Sequence, residues 1–188
     1  RWPWPVKIYT FGSFSVVCDD APLQLTGKPH VKPLELLKAL VATGGREASA
    51  VYLAELLWPD AEGDAGFRAF ETTLYRLRKL LGHDAALKLE DGKLSLDPSL
   101  CWVDVWAFER EVSEGEHLPE MQESRAALAA VSGLYRGHFL VHEPQQPWML
   151  PYRERLRAKL ARHVRRVGEH WQAERRWDEA VAIYERAI

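Results

Sequence analysis

The stretch from 65 to 96 leaves this chain little choice of fold. Phe67, Phe70, Leu74, Leu77 and Leu81 recur three or four residues apart, which is the spacing of one face of an α-helix. Asp64 is the candidate N-cap, and Gly82 is placed to close the helix in a left-handed conformation. Two short alternating runs follow, 87–90 and 93–96, joined by Asp91-Gly92, a pair that tolerates positive φ and signals a tight hairpin.

What precedes this unit completes a compact arrangement. Residues 6–11, 14–18 and 23–25 read as strands, interrupted by Gly12-Ser13 and by a turn at 19–22, so an antiparallel N-terminal sheet is expected. From Pro33 the period becomes helical, with Leu34, Leu37, Leu40 and Val41 on one face and Gly44-Gly45 as the stop. A second short helix follows Ser49 as N-cap and buries Leu53, Leu56 and Leu57 until Trp58-Pro59 ends it. Residues 60–64 form a polar loop. Three helices between a sheet and a hairpin make a winged helix-turn-helix of the α+β class.

Beyond 97 everything reads as all-α. Asp104 caps a helix carrying Val105, Phe108 and Val112, an acidic loop spans 111–119, and a further helix buries Ala127, Leu128, Val131, Leu134 and Tyr135. A break at 144–147 precedes a long helix from about Pro151, striped by Tyr152, Leu156, Leu160, Val164, Val167 and Trp171. Gly168 within that stripe, followed by Ala180, Tyr184 and Ala187, has tetratricopeptide (TPR-like) spacing, and the chain is expected to stop inside a repeat array. The expected division is a linker at 1–5, a winged-helix domain at 6–97 and a TPR-like domain at 98–188.

Composition removes several function classes. With 188 residues, 47% of them hydrophobic, the chain can bury an ordinary core, yet no apolar run approaches the roughly 18 to 20 residues of a membrane span. Cys18 and Cys101 form no CxxC pair, which argues against a disulfide framework or a cysteine-rich zinc site and fits a reducing cytoplasm. Arg1 in place of Met, with no signal segment after it, suggests a piece of a longer cytoplasmic polypeptide. His138 and His142 lack an HExxH frame, and the glycine pairs fit no P-loop or GxGxxG pattern. No nucleophile with a base can be named, so no catalytic residue, metal or cofactor is expected. Tryptophans 102, 106, 148, 171 and 177 are read as core, and Trp2 and Trp4 as an anchor or a linker.

The net charge of -2 carries no basic excess for the chain as a whole, but the charge is unevenly placed. Opposite its apolar stripe, the 65–81 helix presents Arg68, Glu71, Thr72, Tyr75, Arg76 and Lys79, with Arg78 on the flank. Followed by a hairpin bearing Lys88 and Lys93, such a face suits insertion into a major groove about 12 Å wide. Arg76, near its middle, is the candidate for a bidentate guanine contact and Thr72 for a thymine methyl, while Arg68, Arg78, Lys79, Lys88 and Lys93 suit phosphates. A second basic stretch, 153–176, has nine Arg or Lys against three Glu; it matches the acidic stretch 97–125, and internal or subunit pairing is favoured over DNA binding there.

The stretch Phe70-Glu71-Thr72-Thr73-Leu74-Tyr75-Arg76-Leu77-Arg78-Lys79-Leu80-Leu81 resembles the recognition-helix pattern of OmpR/PhoB-type winged-helix domains. With Leu56-Leu57-Trp58-Pro59, Val103-Asp104 and Leu134-Tyr135-Arg136-Gly137-His138-Phe139-Leu140, the chain is similar to SARP-type bacterial transcriptional activators, in which a bacterial transcriptional activator domain follows the winged helix. The resemblance implies double-stranded promoter DNA as a partner, met by Arg68, Thr72, Thr73, Tyr75, Arg76 and Arg78. It implies RNA polymerase at the 60–66 loop with Asp60, Glu62 and Asp64, and protomers in tandem on direct repeats, so a homodimer is open. Thr73 and Tyr75 stand where histidine and small or basic residues are common, so base preference does not carry over. The alternative is a protein-interaction module that binds no DNA.

Overall fold

The computed structural model describes residues 3–23, 30–115 and 133–186. Gln24 and Leu25 of the expected third strand, Ala127, Leu128 and Val131 of an expected helix, Ala187, and Trp2 lie outside the described residues. In chain order the elements are β1 (Val6–Tyr9), β2 (Ser15–Cys18), β3 (Ala21–Pro22), α1 (Val31–Ala42), β4 (Ala48–Ser49), α2 (Ala50–Leu57), α3 (Ala65–Leu81), β5 (Leu87–Glu90), β6 (Lys93–Leu96), β7 (Cys101–Val103), α4 (Asp104–Gly115), α5 (Met149–Ala173) and α6 (Trp177–Arg186).

The N-terminal sheet runs β3-β2-β1-β7 and departs from expectation twice. Its third strand falls at Ala21–Pro22, inside the stretch read as a turn. Asp19 and Asp20, with φ of 50° and 64°, complete the reversal alone, and Cys18 pairs at once with Ala21. The fourth strand is Cys101–Val103, parallel to β1 with Val6 opposite Cys101, in a region read as wholly helical. Three buried residues are too few to show a period, and the parallel pairing joins residues 101–103 to residues 6–8, far away in the chain.

The middle of the chain follows its periodicity. Ser49 caps α2 by accepting from the Tyr52 amide at 3.3 Å. Helix α3 ends where Gly82 takes φ 71°, but Asp64 at its start makes no side-chain capping bond. The apolar faces of α1, α2 and α3 meet through Leu37, Leu40, Leu53, Phe70 and Leu77, all fully buried, whereas Phe67 is 37% exposed. The hairpin forms in the expected register, Leu87 opposite Leu96, with Asp91 and Gly92 at positive φ and β4 pairing on β6.

The C-terminal helices share one hydrophobic core with the N-terminal sheet. Asp104 joins the two. Its carboxylate accepts from the Thr10 amide (2.6 Å), the Thr10 hydroxyl (2.7 Å) and the Phe11 amide (2.8 Å) as well as from the Val105 amide. Burial pushes its pKa up, and these bonds oppose that rise. The Trp106 indole donates to the Gly44 carbonyl at 3.1 Å. Lys38 of α1 pairs with Glu143 at 2.5 Å. Part of the basic stretch on α5 pairs internally, Glu109 meeting Lys159 at 2.7 Å and Arg155 at 3.5 Å. Trp177, read as core, is 59% exposed on α6.

Candidate nucleic-acid interface

Helix α3 carries the candidate residues because its amphipathic period buries Phe70, Leu74, Leu77 and Leu81 and turns the intervening positions outward. Arg68, Glu71, Thr72, Tyr75, Arg76 and Lys79 are exposed. Tyr75 is 62% exposed, with the Lys79 ammonium 5.7 Å from its ring centre. The Thr72 hydroxyl donates to the Arg68 carbonyl at 3.0 Å, a bond within the helix that leaves its methyl outward. Thr73 is 5% exposed and belongs to the buried side. Successive outward positions lie three or four residues apart and so form one strip along the helix.

The cations divide into two sets. Among the described residues the guanidinium groups of Arg68 and Arg76 make no hydrogen bond or ion pair, whereas the side chains of the others are engaged. Arg78 is half-buried and donates from Nε (3.2 Å) and Nη2 (2.8 Å) to the Leu87 carbonyl. Lys79 meets Asp84 at 3.1 Å, which raises its pKa. Lys88 meets Asp97 at 2.7 Å, and Lys93 lies 3.6 Å from Glu47. The Lys88 ammonium, with the Ser99 hydroxyl and amide, holds the Asp97 carboxyl down at about 2.

Sequence reasoning found the lysines and missed their partners. The hairpin register held the signal. Lys88 faces Ser95, so Asp97 sits diagonally two positions on; Ser49 faces Lys93, so Glu47 is the corresponding diagonal neighbour. The bond from Arg78 to Leu87 had no such signal, because it depends on how the chain turns between Gly82 and β5.

Asp60, Glu62 and Asp64 are all exposed on the loop between α2 and α3. Beside them lies a groove of about 570 Å³ with Val51, Ala54, Trp58 and Phe67 among its walls and Glu55 and Asp64 at its edge. It combines apolar surface with charges of both signs, because Arg68 lines it beside Glu55 and Asp64. No helix among the described residues is long and apolar enough to cross a membrane.

Residues 103–188 match the model of the bacterial transcriptional activator domain family. Among solved structures the chain is similar to Mycobacterium tuberculosis EmbR in complex with a low affinity phosphopeptide, at 19% sequence identity and a TM-score of 0.62. The likeness covers 97% of this chain and 59% of that one, and at this identity it is a likeness of fold. No curated protein sequence matches the chain.

Proposed function

We propose that the chain is a transcription regulator whose N-terminal part is a winged-helix module that binds double-stranded promoter DNA, and whose C-terminal part is a TPR-like activator domain. The match of residues 103–188 to the bacterial transcriptional activator domain supports the class of function. The observation that carries the DNA reading is the outward strip of α3, on which Arg68 and Arg76 are free to meet a duplex while Thr72 and Tyr75 stand between them. Arg76 reads a guanine edge, Thr72 meets a thymine methyl, and Arg68 neutralises a phosphate, as Lys79 can only by giving up Asp84. Lys88 and Lys93 reach the backbone only by exchanging Asp97 and Glu47 for phosphate.

The exposed acids Asp60, Glu62 and Asp64 serve as the face toward RNA polymerase, with the neighbouring groove supplying apolar contact. Protomers bind direct repeats in tandem. The close packing of α5 on α6 is what supports the TPR-like reading. No step of this function calls for a catalytic residue, a metal or a cofactor.

Duplex titration across a salt series tests the reading. Phosphate neutralisation makes log K fall linearly with log salt, with a slope near -0.9 per phosphate contacted. Binding to promoter DNA with such a slope supports it. Absence of binding to any duplex, with the protein folded, transfers the function to the groove beside α2 and makes the chain a protein-interaction module.

A further inference from the structure

We propose that Arg78 is a positioning residue that sets the angle between α3 and the hairpin, and is not a phosphate contact. The proposal rests on the DNA-binding reading above. Two N–H groups of one guanidinium converge on a single carbonyl, that of Leu87, at 3.2 Å from Nε and 2.8 Å from Nη2. Strand β5 is the outer strand of the order β4-β6-β5, and an outer strand presents backbone groups that the ladder leaves unpaired. The Arg78 fork supplies donors to one of them, at the first residue of the strand.

The bracing has a second member. Between Arg78 and Leu87 the chain passes the left-handed Gly82 and a short turn at Asp84–Ala86, and across that turn Lys79 pairs with Asp84 at 3.1 Å. The last turn of α3 thus holds the following segment at two successive positions. To place Arg78 on a phosphate, the protein would have to break both bonds and leave the carbonyl of a buried residue, Leu87, without its donors. A planar fork can hold that oxygen from two directions; the single ammonium of a lysine cannot. Because α3 and the hairpin must meet the duplex together, their mutual angle decides whether both can bind.

The test uses Arg78→Lys, which keeps the charge and loses the fork, and Arg78→Gln, which loses the charge. Both are titrated with duplex over a salt series, and hairpin amide exchange is followed in the free protein. For a positioning role, both variants weaken binding by on the order of tenfold, keep the parent's salt slope, and exchange residues 87–96 faster. A Lys variant that binds like the parent, beside a Gln variant whose slope is shallower by about 0.9, overturns the proposal.

If the parent binds no duplex, the DNA reading fails and the exchange data alone decide; unchanged exchange in both variants then overturns the bracing. Should a variant fail to fold, the Nε–H resonance of the parent provides the remaining readout. Slow solvent exchange that persists when duplex is added supports the bracing, and a resonance displaced by duplex overturns it.

Discussion

Gly168 on α5 lies so close beneath the ring of Tyr184 on α6 that a Cβ in place of its hydrogen would overlap Cζ and Oη and sit 2.8 Å from Cε1. The glycine is buried within a regular helix, where it costs helical stability, so the close approach is its reason for being there. Gly168 and Tyr184, two of the positions whose spacing was read from the sequence, thus meet in the fold.

Gly168→Ala is expected to destabilise the protein by about 1 to 3 kcal/mol through overpacking, although alanine is the better helix former. Urea unfolding of Gly168→Ala, Tyr184→Ala and the double variant checks this. The double variant should lose less than the sum of the two. Strict additivity would mean that the two side chains do not meet.

Arg76→Ala is expected to weaken binding to the preferred duplex by about 1 to 3 kcal/mol and to relax the preference at one base pair. Arg68→Ala, by contrast, should weaken all duplexes alike and lower the salt slope. Competition titrations at fixed salt separate the two. An Arg76→Ala protein as tight and as selective as the parent would remove this residue from base reading.

Asp97→Asn removes the partner of Lys88 and should strengthen duplex binding, with a salt slope steeper by about 0.9 as one more lysine reaches phosphate. It also changes acid stability in a defined sense. The Asp97 carboxyl is held down at about 2 in the folded state, so its contribution is present above the ordinary carboxylate value and is lost as pH falls from about 4 toward 2. The stability difference between parent and variant should therefore be seen at pH 6, be mostly lost by pH 2 and vanish below it. A difference as large at pH 2 as at pH 6 would assign it to something other than ionisation.

Asp104→Ala strips four donors of their acceptor, three of them on Thr10 and Phe11, and is expected to cost about 3 kcal/mol or more. The same relationship bears on any division of the chain at 97/98. A fragment ending at 97 leaves β1 without the β7 ladder and without the Asp104 carboxylate. Its thermal transition should be broad beside that of a fragment ending at 115. Equal, cooperative transitions in the two fragments would show that these contacts contribute little.

Much of the site was legible because it is local. The outward strip of α3 follows from helical period alone, and so does the burial of Phe70 and Leu77. Thr73 shows the limit of that reasoning. Motif resemblance placed it among the contacts, while the position it occupies on the helix turns it toward the core. Phe67 shows the converse, an apolar residue in phase with the stripe whose turn of helix overhangs the groove beside α2.

Sequence alone determined the three helices before the hairpin, the hairpin itself and most of their facing, since hydrophobic period, Ser49 as a cap, Gly82 as a stop and Asp91-Gly92 as a turn act within a few residues of themselves. Tertiary structure alone decided which cations are free. Asp97 and Glu47 claim the hairpin lysines, Leu87 claims Arg78, and Arg68 and Arg76 remain. It also decided that Cys101–Val103 completes a sheet begun at Val6. Pairings of this kind depend on where the chain returns in space, and the energy of a strand or an ion pair is set by the partner it finds there and not by its own residues.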